Sequence, residues 1–179
     1  MASTRNALRL AEFVCARLCH ELSGLIGTLD GALELLPDAQ PSGCEPLGLA
    51  RSASTDMVRR LRFVRAAWGP EGEALSVSAI ELLTGGLGGA RRLAIDFGGL
   101  PKEVVFPPAE ARMMLNLLLL ASDSLPGGGE MAVMGVPSDL FVRITGPGAG
   151  WPAGLAACLA DASARQAASP AGHPAPGPV

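Results

Sequence analysis

The sequence predicts an α+β protein in which an N-terminal helical hairpin precedes a smaller domain of mixed helix and strand. Apolar residues recur every three or four positions along residues 11–36 and again along residues 47–68, which is the spacing of one helical face. Farther along the chain, glycine and proline become frequent and residues 92–97 alternate as a half-buried strand does. The predicted division is a hairpin at 1–69, a sandwich domain at 70–160 and a flexible Pro/Ala-rich tail at 161–179.

The two apolar stripes predict two antiparallel helices. The first stripe stops at Pro37, and the segment that follows, PDAQPSGCEP, has the composition of a loop. The second stripe ends at Trp68, directly before Gly69 and Pro70. A hairpin of this kind carries an apolar seam on each helix but buries little surface by itself. We therefore expect two chains to pair as a homodimer with a four-helix bundle.

The second domain is predicted to run in the order helix, strand, helix, strand, strand. Its first helix is expected at residues 78–87, with Ser78 as N-cap and Glu81 completing a capping box. The remaining elements are a strand at 92–97, an apolar helix at 107–125, two strands at 130–135 and 140–145, and an Ala-rich helix within 151–167. This order predicts a sandwich with helices on one face of the sheet.

Composition excludes several classes of function. The chain has 179 residues, a formal net charge of −3 and 4% aromatic residues, so it lacks the basic stripe that nucleic-acid binding needs. Its most apolar run, residues 113–121, is about half the ~20 residues of a membrane helix. The N-terminal residues lack the order of a signal peptide, and the 4 cysteines form no CxxC pair. We expect a cytoplasmic protein with free thiols.

His20 is the candidate for chemistry, because the other histidine, His173, lies in the tail. It stands two positions from both Leu18 and Leu22, so it points away from the apolar seam. Glu21 follows directly and is a carboxylate able to hold the imidazole or accept its proton. An exposed, neutral imidazole is a good phosphoryl acceptor. The alternative interpretation is a solvent-facing histidine without a role.

Two other chemistries fit the residues near His20 less well. A metal site would need Cys15, Cys19 and His20 to converge, but the two cysteines share a helical face that lies about 100° from His20. A serine or cysteine triad would need a base with its own acidic partner, and Glu21 is the only acid beside this histidine.

Four segments resemble the ChpT-type histidine phosphotransferases of alphaproteobacteria. They are RLCHEL at 17–22, GALELL at 31–36, RFVRAAWG at 62–69 and LPGGG at 125–129. The resemblance covers most of residues 8–148. It implies a dimeric relative of the sensor histidine kinases, in which the hairpin carries the phosphoacceptor and a degenerate ATPase-like sandwich follows.

The resemblance also implies a place in a phosphorelay. His20 would accept a phosphoryl group from the receiver aspartate of a hybrid histidine kinase and pass it to the aspartate of a response regulator of the CtrA type. Magnesium would belong to the receiver domain, so no cofactor or metal is expected on this chain. The residues expected to dock the receiver are Arg17, Gly24, Thr28, Arg62 and Arg65. A solvated basic helix end is an equally good interpretation of the last two.

The same order of parts resembles a true histidine kinase, and the ATP-binding positions distinguish the two families. Kinases have two asparagines four residues apart on the apolar helix; Asn116 matches the first, but Leu120 replaces the second and offers magnesium no oxygen. The glycine run at 145–148 is present, yet Ile144 stands where kinases have an adenine-binding aspartate. We therefore expect no useful ATP binding. The alternatives are a non-catalytic dimeric adaptor or kinase inhibitor and an active kinase.

Overall fold

The computed structural model describes residues 2–35, 45–69, 72–87 and 92–160. The predicted loop after Pro37 and the tail at 161–179 with His173 lie outside these ranges. The elements in chain order are α1 (Ala2–Glu34), α2 (Glu45–Trp68), β1 (Leu75–Ser76), α3 (Val77–Thr84), β2 (Leu93–Gly99), β3 (Val105–Phe106), α4 (Pro108–Asp123), β4 (Gly129–Val136), β5 (Asp139–Thr145) and α5 (Leu155–Ala160).

The predicted pair of N-terminal helices is confirmed, and α1 begins earlier than its stripe suggested. Along the predicted seam of α1, Ala11 is exposed, Ala32 is buried, and the residues between them are half-buried: Val14, Leu18, Leu22, Leu25 and Leu29. On α2, Leu47 and Leu61 of the predicted stripe are exposed in the single chain. The buried residues of α2 are Ala50, Ala53, Phe63, Val64 and Ala67. Phe63 and Ala67 lie outside the stripe and are buried because the second half of α2 packs against the C-terminal domain.

The C-terminal domain is built on a three-stranded sheet of order β2-β4-β5. Strands β2 and β4 are parallel, with α4 in the connection between them, and β4 and β5 form an antiparallel hairpin. On β5 the half-buried residues are Leu140, Val142 and Ile144, and the intervening Phe141 is exposed. This alternation is the pattern from which a strand was predicted. Strands β1 and β3, which form a separate two-stranded sheet, are too short for an apolar pattern to predict.

The core of this domain is shared with the hairpin. The largest fully buried side chains come from α3, β3, α4, the loop after α4, β4 and α2, where Phe63 is completely buried. Helix α4 is apolar along its inner face and buries Met114, Leu115 and Leu118 among others. Because Phe63 belongs to the hairpin, the common core holds α2, and α1 with it, against the C-terminal domain.

The start of α3 corrects the predicted cap. Ser76, rather than Ser78, is the N-cap: its hydroxyl accepts a hydrogen bond from the backbone N–H of Ala79 at 3.2 Å. The predicted capping box of Ser78 with Glu81 is therefore wrong. The pairing of β1 with β3 ends at Ser76 and leaves it in the extended conformation that an N-cap requires, so the helix starts one residue later.

The remaining elements lie close to their predicted places. Helix α4 begins with Pro108 in its first turn, where a missing N–H costs nothing. Helix α5 occupies only six residues of the predicted segment, and residues 161–167 lie outside the described ranges. Within the part of the chain that the structure describes, no helix has both the length and the hydropathy to cross a bilayer.

Candidate functional site

His20 is exposed on α1, as its spacing predicted, and lines a cleft of about 770 Å³. The cleft lies between the hairpin and the C-terminal domain, which contributes Gly86, Leu87 and Asp123 to its lining. Asp56 of α2 also lines it. The exposed histidine was predicted from the sequence, but its position beside a second domain was not.

Four charged residues form a continuous ion-pair chain along this cleft. Arg17 donates from Nε to Glu21 Oε1 at 2.8 Å and from Nη2 to Asp123 Oδ1 at 2.9 Å. Arg60 donates from Nε to the other oxygen of Glu21 at 2.6 Å and from Nη1 to the carbonyl of Gly86 at 3.1 Å. The ion-pair chain of Asp123, Arg17, Glu21 and Arg60 therefore joins α4, α1, α2 and the turn after α3.

The Glu21–Arg60 half of the ion-pair chain is more shielded from water than the Asp123–Arg17 half. The side chains of Glu21 and Arg60 are 17% and 13% exposed, whereas those of Arg17 and Asp123 are 39% and 33% exposed. The hydrogen bond that Arg17 donates to Asp123 is the main cause that raises the pKa of Arg17 above its ordinary value; partial burial opposes the rise, and Glu21 adds to it. The guanidinium of Arg60 also lies 5.8 Å from the centre of the Phe63 ring.

These contacts bear on two residues predicted for the site. Glu21 was expected to hold the imidazole of His20, and the structure places its carboxylate between Arg17 and Arg60. Arg17 was expected to dock a receiver, and its guanidinium is bonded to Glu21 and Asp123. A catalytic role for Glu21 and a docking role for Arg17 stay predictions.

The other predicted docking residues lie on open surface. Gly24 and Thr28 follow His20 at one-turn intervals on the same face of α1, and both are exposed. Thr28 donates its hydroxyl to the carbonyl of Gly24 at 3.0 Å, and a Cβ on Gly24 would meet nothing within 4 Å. Arg62 and Arg65 are exposed on α2 and are not part of the cleft lining.

Sequence reasoning missed Arg60, Gly86 and Asp123. Asp123 lies 106 positions from its partner Arg17, so no local spacing links the two. Arg60 did offer a signal: it lies on the same side of α2 as buried Ala53, Phe63 and Ala67, and a charge among buried residues needs a partner. Among the described residues, no group of three or more His, Cys, Asp or Glu is arranged to hold a metal ion.

Asn116, the residue that matches the first kinase asparagine, joins α4 to the end of the hairpin. Its Oδ1 accepts from Trp68 Nε1 at 2.8 Å, and its Nδ2 donates to the carbonyls of Ala67 at 3.2 Å and Arg112 at 2.8 Å. Every polar atom of this amide thus has a partner within the protein, and Leu120, one turn later, is half-buried.

The glycine run at 145–148 forms a tight turn against the loop before β4. A Cβ added to Gly146 would collide with the carbonyl of Gly128, and one on Gly129 with the carbonyl of Thr145. Gly129 also has a φ of +142°, a backbone conformation that residues with a side chain rarely adopt. The glycines are therefore required by the close approach of two backbone segments of this domain.

Comparisons with known proteins agree on one family. The family described as histidine phosphotransferase C-terminal domain matches residues 77–175, more than half of the chain. The chain is 28% identical over 148 residues to protein phosphotransferase ChpT of Brucella abortus (strain 2308), covering 78% of this chain and 67% of that protein. A solved structure of a bacterial phosphotransferase superposes with a TM-score of 0.66 at 25% identity, covering 82% of this chain and 72% of the other. The chain therefore belongs to the histidine phosphotransferase family and is a phosphotransferase.

Proposed function

We propose that this protein transfers phosphoryl groups between receiver domains in a phosphorelay and that His20 is the group that carries them. The donor is the receiver aspartate of a hybrid histidine kinase, and the acceptor is the aspartate of a response regulator of the CtrA type. The observation that carries the proposal is the exposed imidazole of His20 beside a cleft, in a chain of the histidine phosphotransferase family.

The transfer exchanges one bond to phosphorus for another. A ring nitrogen of neutral His20 attacks the phosphorus of the aspartyl phosphate; the N–P bond forms while the P–O bond to the aspartate breaks and the carboxylate leaves with the electron pair. In the second transfer, a carboxylate of the response regulator attacks the phosphorus and the N–P electron pair returns to the imidazole. The magnesium ion is held by the receiver in both steps, so the contribution of this chain is mainly positioning.

The surface beside His20 suits the approach of a folded partner. Gly24 and Thr28 continue the exposed face of α1 with small side chains, and the space next to Gly24 is open. A receiver can therefore lie along this face with its aspartate close to the imidazole. Arg62 and Arg65, both exposed on α2, would meet acidic groups at the edge of the bound receiver.

Two observations support transfer without ATP. The amide of Asn116 is bonded to Trp68, Ala67 and Arg112, so its polar atoms are used within the fold. The positions at which kinases have a second asparagine and an aspartate are Leu120 and Ile144, neither of which can bind magnesium or adenine through a polar group.

The exposed apolar residues of the hairpin support a homodimer. Leu8, Ile26 and Leu33 share one face of α1 by their spacing and are 61%, 52% and 46% exposed. On α2, Leu47 and Leu61 are exposed as well. A second copy of the chain would cover these faces and complete a four-helix bundle.

The test is transfer of labelled phosphate from receivers of hybrid kinases encoded in the same genome. We expect the wild-type protein to acquire the label and His20→Ala to lose transfer by at least about a hundredfold. His173→Ala is the matched control, since it removes the other histidine of the chain, and it should transfer as the wild type does. A wild-type protein that binds receivers without acquiring the label would favour the adaptor, and label acquired from ATP alone would favour a kinase.

A further inference from the structure

We propose that Glu21 is a positioning residue and does not exchange protons with the imidazole of His20. Through Arg17 and Arg60 it holds Asp123 and Gly86, which belong to the side of the cleft contributed by the C-terminal domain, here called the C-terminal wall. The inference deepens the proposed function and rests on it. It differs from the role that adjacency in sequence suggests for a carboxylate next to a phosphoacceptor histidine.

The geometry of α1 separates Glu21 from His20. Consecutive residues of a helix diverge by about 100° and do not face each other, whereas residues four apart do. Arg17 stands four positions before Glu21 and bonds its Oε1 at 2.8 Å; Arg60 bonds Oε2 at 2.6 Å. Each carboxylate oxygen therefore has a guanidinium donor, and the two arginines determine how the carboxylate is oriented.

The two arginines continue from Glu21 into the C-terminal domain. Arg17 reaches Asp123 at the end of α4, and Arg60 reaches the carbonyl of Gly86 in the turn after α3. That turn lies directly on α2, because a Cβ on Gly86 would come within 2.5 Å of the carbonyl oxygen of Arg59. Asp123, Gly86 and Glu21 all line the cleft with His20. Glu21 is thus the anion through which both attachments beside the phosphoacceptor are connected.

The consequence concerns large phosphoryl donors only. A receiver that brings its aspartate to His20 has to fit between α1 and the neighbouring C-terminal wall. Removing the charge of Glu21 takes from Arg17 and Arg60 their common anion. The apolar core still joins the two domains, but Asp123 and Gly86 are then fixed less firmly relative to α1. Transfer from a receiver should then slow, while the reactivity of the imidazole towards a small donor should not change.

The experiment compares two donors, a phosphorylated receiver and phosphoramidate, which transfers its phosphoryl group to the imidazole with loss of ammonia. We expect Glu21→Gln and Asp123→Asn each to lower kcat/KM for the receiver about tenfold or more, since misplacement of reacting groups is costly. Both should react with phosphoramidate within about twofold of the wild type. Glu12→Gln, the same substitution at an exposed site of α1, is the control and should match the wild type with both donors.

Coupling between the variants provides a second readout. Glu21 and Asp123 act through the same arginine, so the double variant Glu21→Gln/Asp123→Asn should transfer within about twofold of the slower single variant. A double variant whose loss of transfer equals the product of the two single losses would overturn the proposal. A Glu21→Gln protein that is slowed equally with phosphoramidate and with the receiver would overturn it too. Rescue of receiver transfer by Glu21→Asp, which keeps the charge, would support it.

Hydrogen exchange separates this inference from the proposed function. In Glu21→Gln, the amides of residues 85–87 should exchange faster than in the wild type, because the bond from Arg60 to Gly86 loses its anchor. This result does not depend on any receiver. If the wild-type protein accepts no phosphate from receivers, the proposed function fails, and the hydrogen-exchange and phosphoramidate results still decide the role of Glu21. Unchanged hydrogen exchange at residues 85–87 in Glu21→Gln would overturn that role.

Discussion

Helices α1 and α4 differ most in how many of their side chains are buried. Helix α4 has 16 residues and buries seven of them, mainly leucine, methionine and alanine. Helix α1 has 33 residues, and of its side chains that the structure describes only Ala32 is buried. The C-terminal domain thus closes its core within one chain, whereas the hairpin leaves apolar surface at the outside.

The difference reflects the separate sets of contacts that surround α1. One face packs half-buried residues such as Leu18 and Leu22 against the rest of the chain. A second face carries Arg17 and Glu21, which bind the C-terminal domain and α2 through charged groups. At the edge of the first face, close to Leu22 in angle, Leu8 and Leu33 are exposed to solvent. In the proposed function this helix presents His20 to a receiver and pairs with a second copy, and a helix with those contacts cannot also be buried in a core.

The largest expected effect comes from breaking the closed core. Leu118 of α4 is fully buried, so Leu118→Ala should lower the free energy of unfolding by about 2–5 kcal/mol through lost burial and the cavity left behind. Leu10→Ala is the matched control on α1, where the side chain is 66% exposed; this variant should change the free energy of unfolding by no more than about 0.5 kcal/mol. Urea unfolding of both variants measures the difference. Equal losses would contradict the comparison between the two helices.

The contrast between the helices explains why the fold was largely predictable. The stripe of α1 and the alternation in β5 are repeated local patterns, so they appear directly in the sequence. The stripe of α2 does not include buried Phe63, because this residue packs against the C-terminal domain and a periodic pattern describes one face at a time. Strands β1 and β3 pair over two residues each and depend on tertiary contact rather than on any pattern of their own.

The next largest effect tests the exposed face of the hairpin. Leu33→Glu places a charge on the apolar face of α1 and should raise the dissociation constant of the proposed homodimer about a hundredfold, equivalent to about 2.7 kcal/mol. Leu82→Glu is the control on α3, where the leucine is 81% exposed, and should leave self-association unchanged. Sedimentation over a range of protein concentrations gives both constants. A wild-type protein that sediments as a monomer, or equal effects of the two variants, would show that this face has another role.

The candidate site was less predictable than the fold. His20 could be singled out because the chain has only two histidines and this one lies off the apolar seam. Its surroundings could not, because Asp123 and Gly86 reach it through contacts between distant segments. Adjacency in sequence paired Glu21 with His20, whereas the structure shows the Glu21 carboxylate hydrogen-bonded to Arg17, four residues earlier on the same helix.

The smallest expected effect distinguishes the two serines at the start of α3. Ser76 caps the helix through its hydroxyl, so Ser76→Ala should lower the free energy of unfolding by about 1 kcal/mol. Ser78→Ala removes only a hydroxyl that shares an exposed hydrogen bond with Ser76, and the loss should stay below about 0.5 kcal/mol. If the larger loss followed Ser78→Ala, the capping box expected from the sequence would be correct after all. A larger loss from Ser76→Ala would locate the start of α3 at the point where β1 leaves its partner strand, because only a residue in that extended conformation can cap the helix.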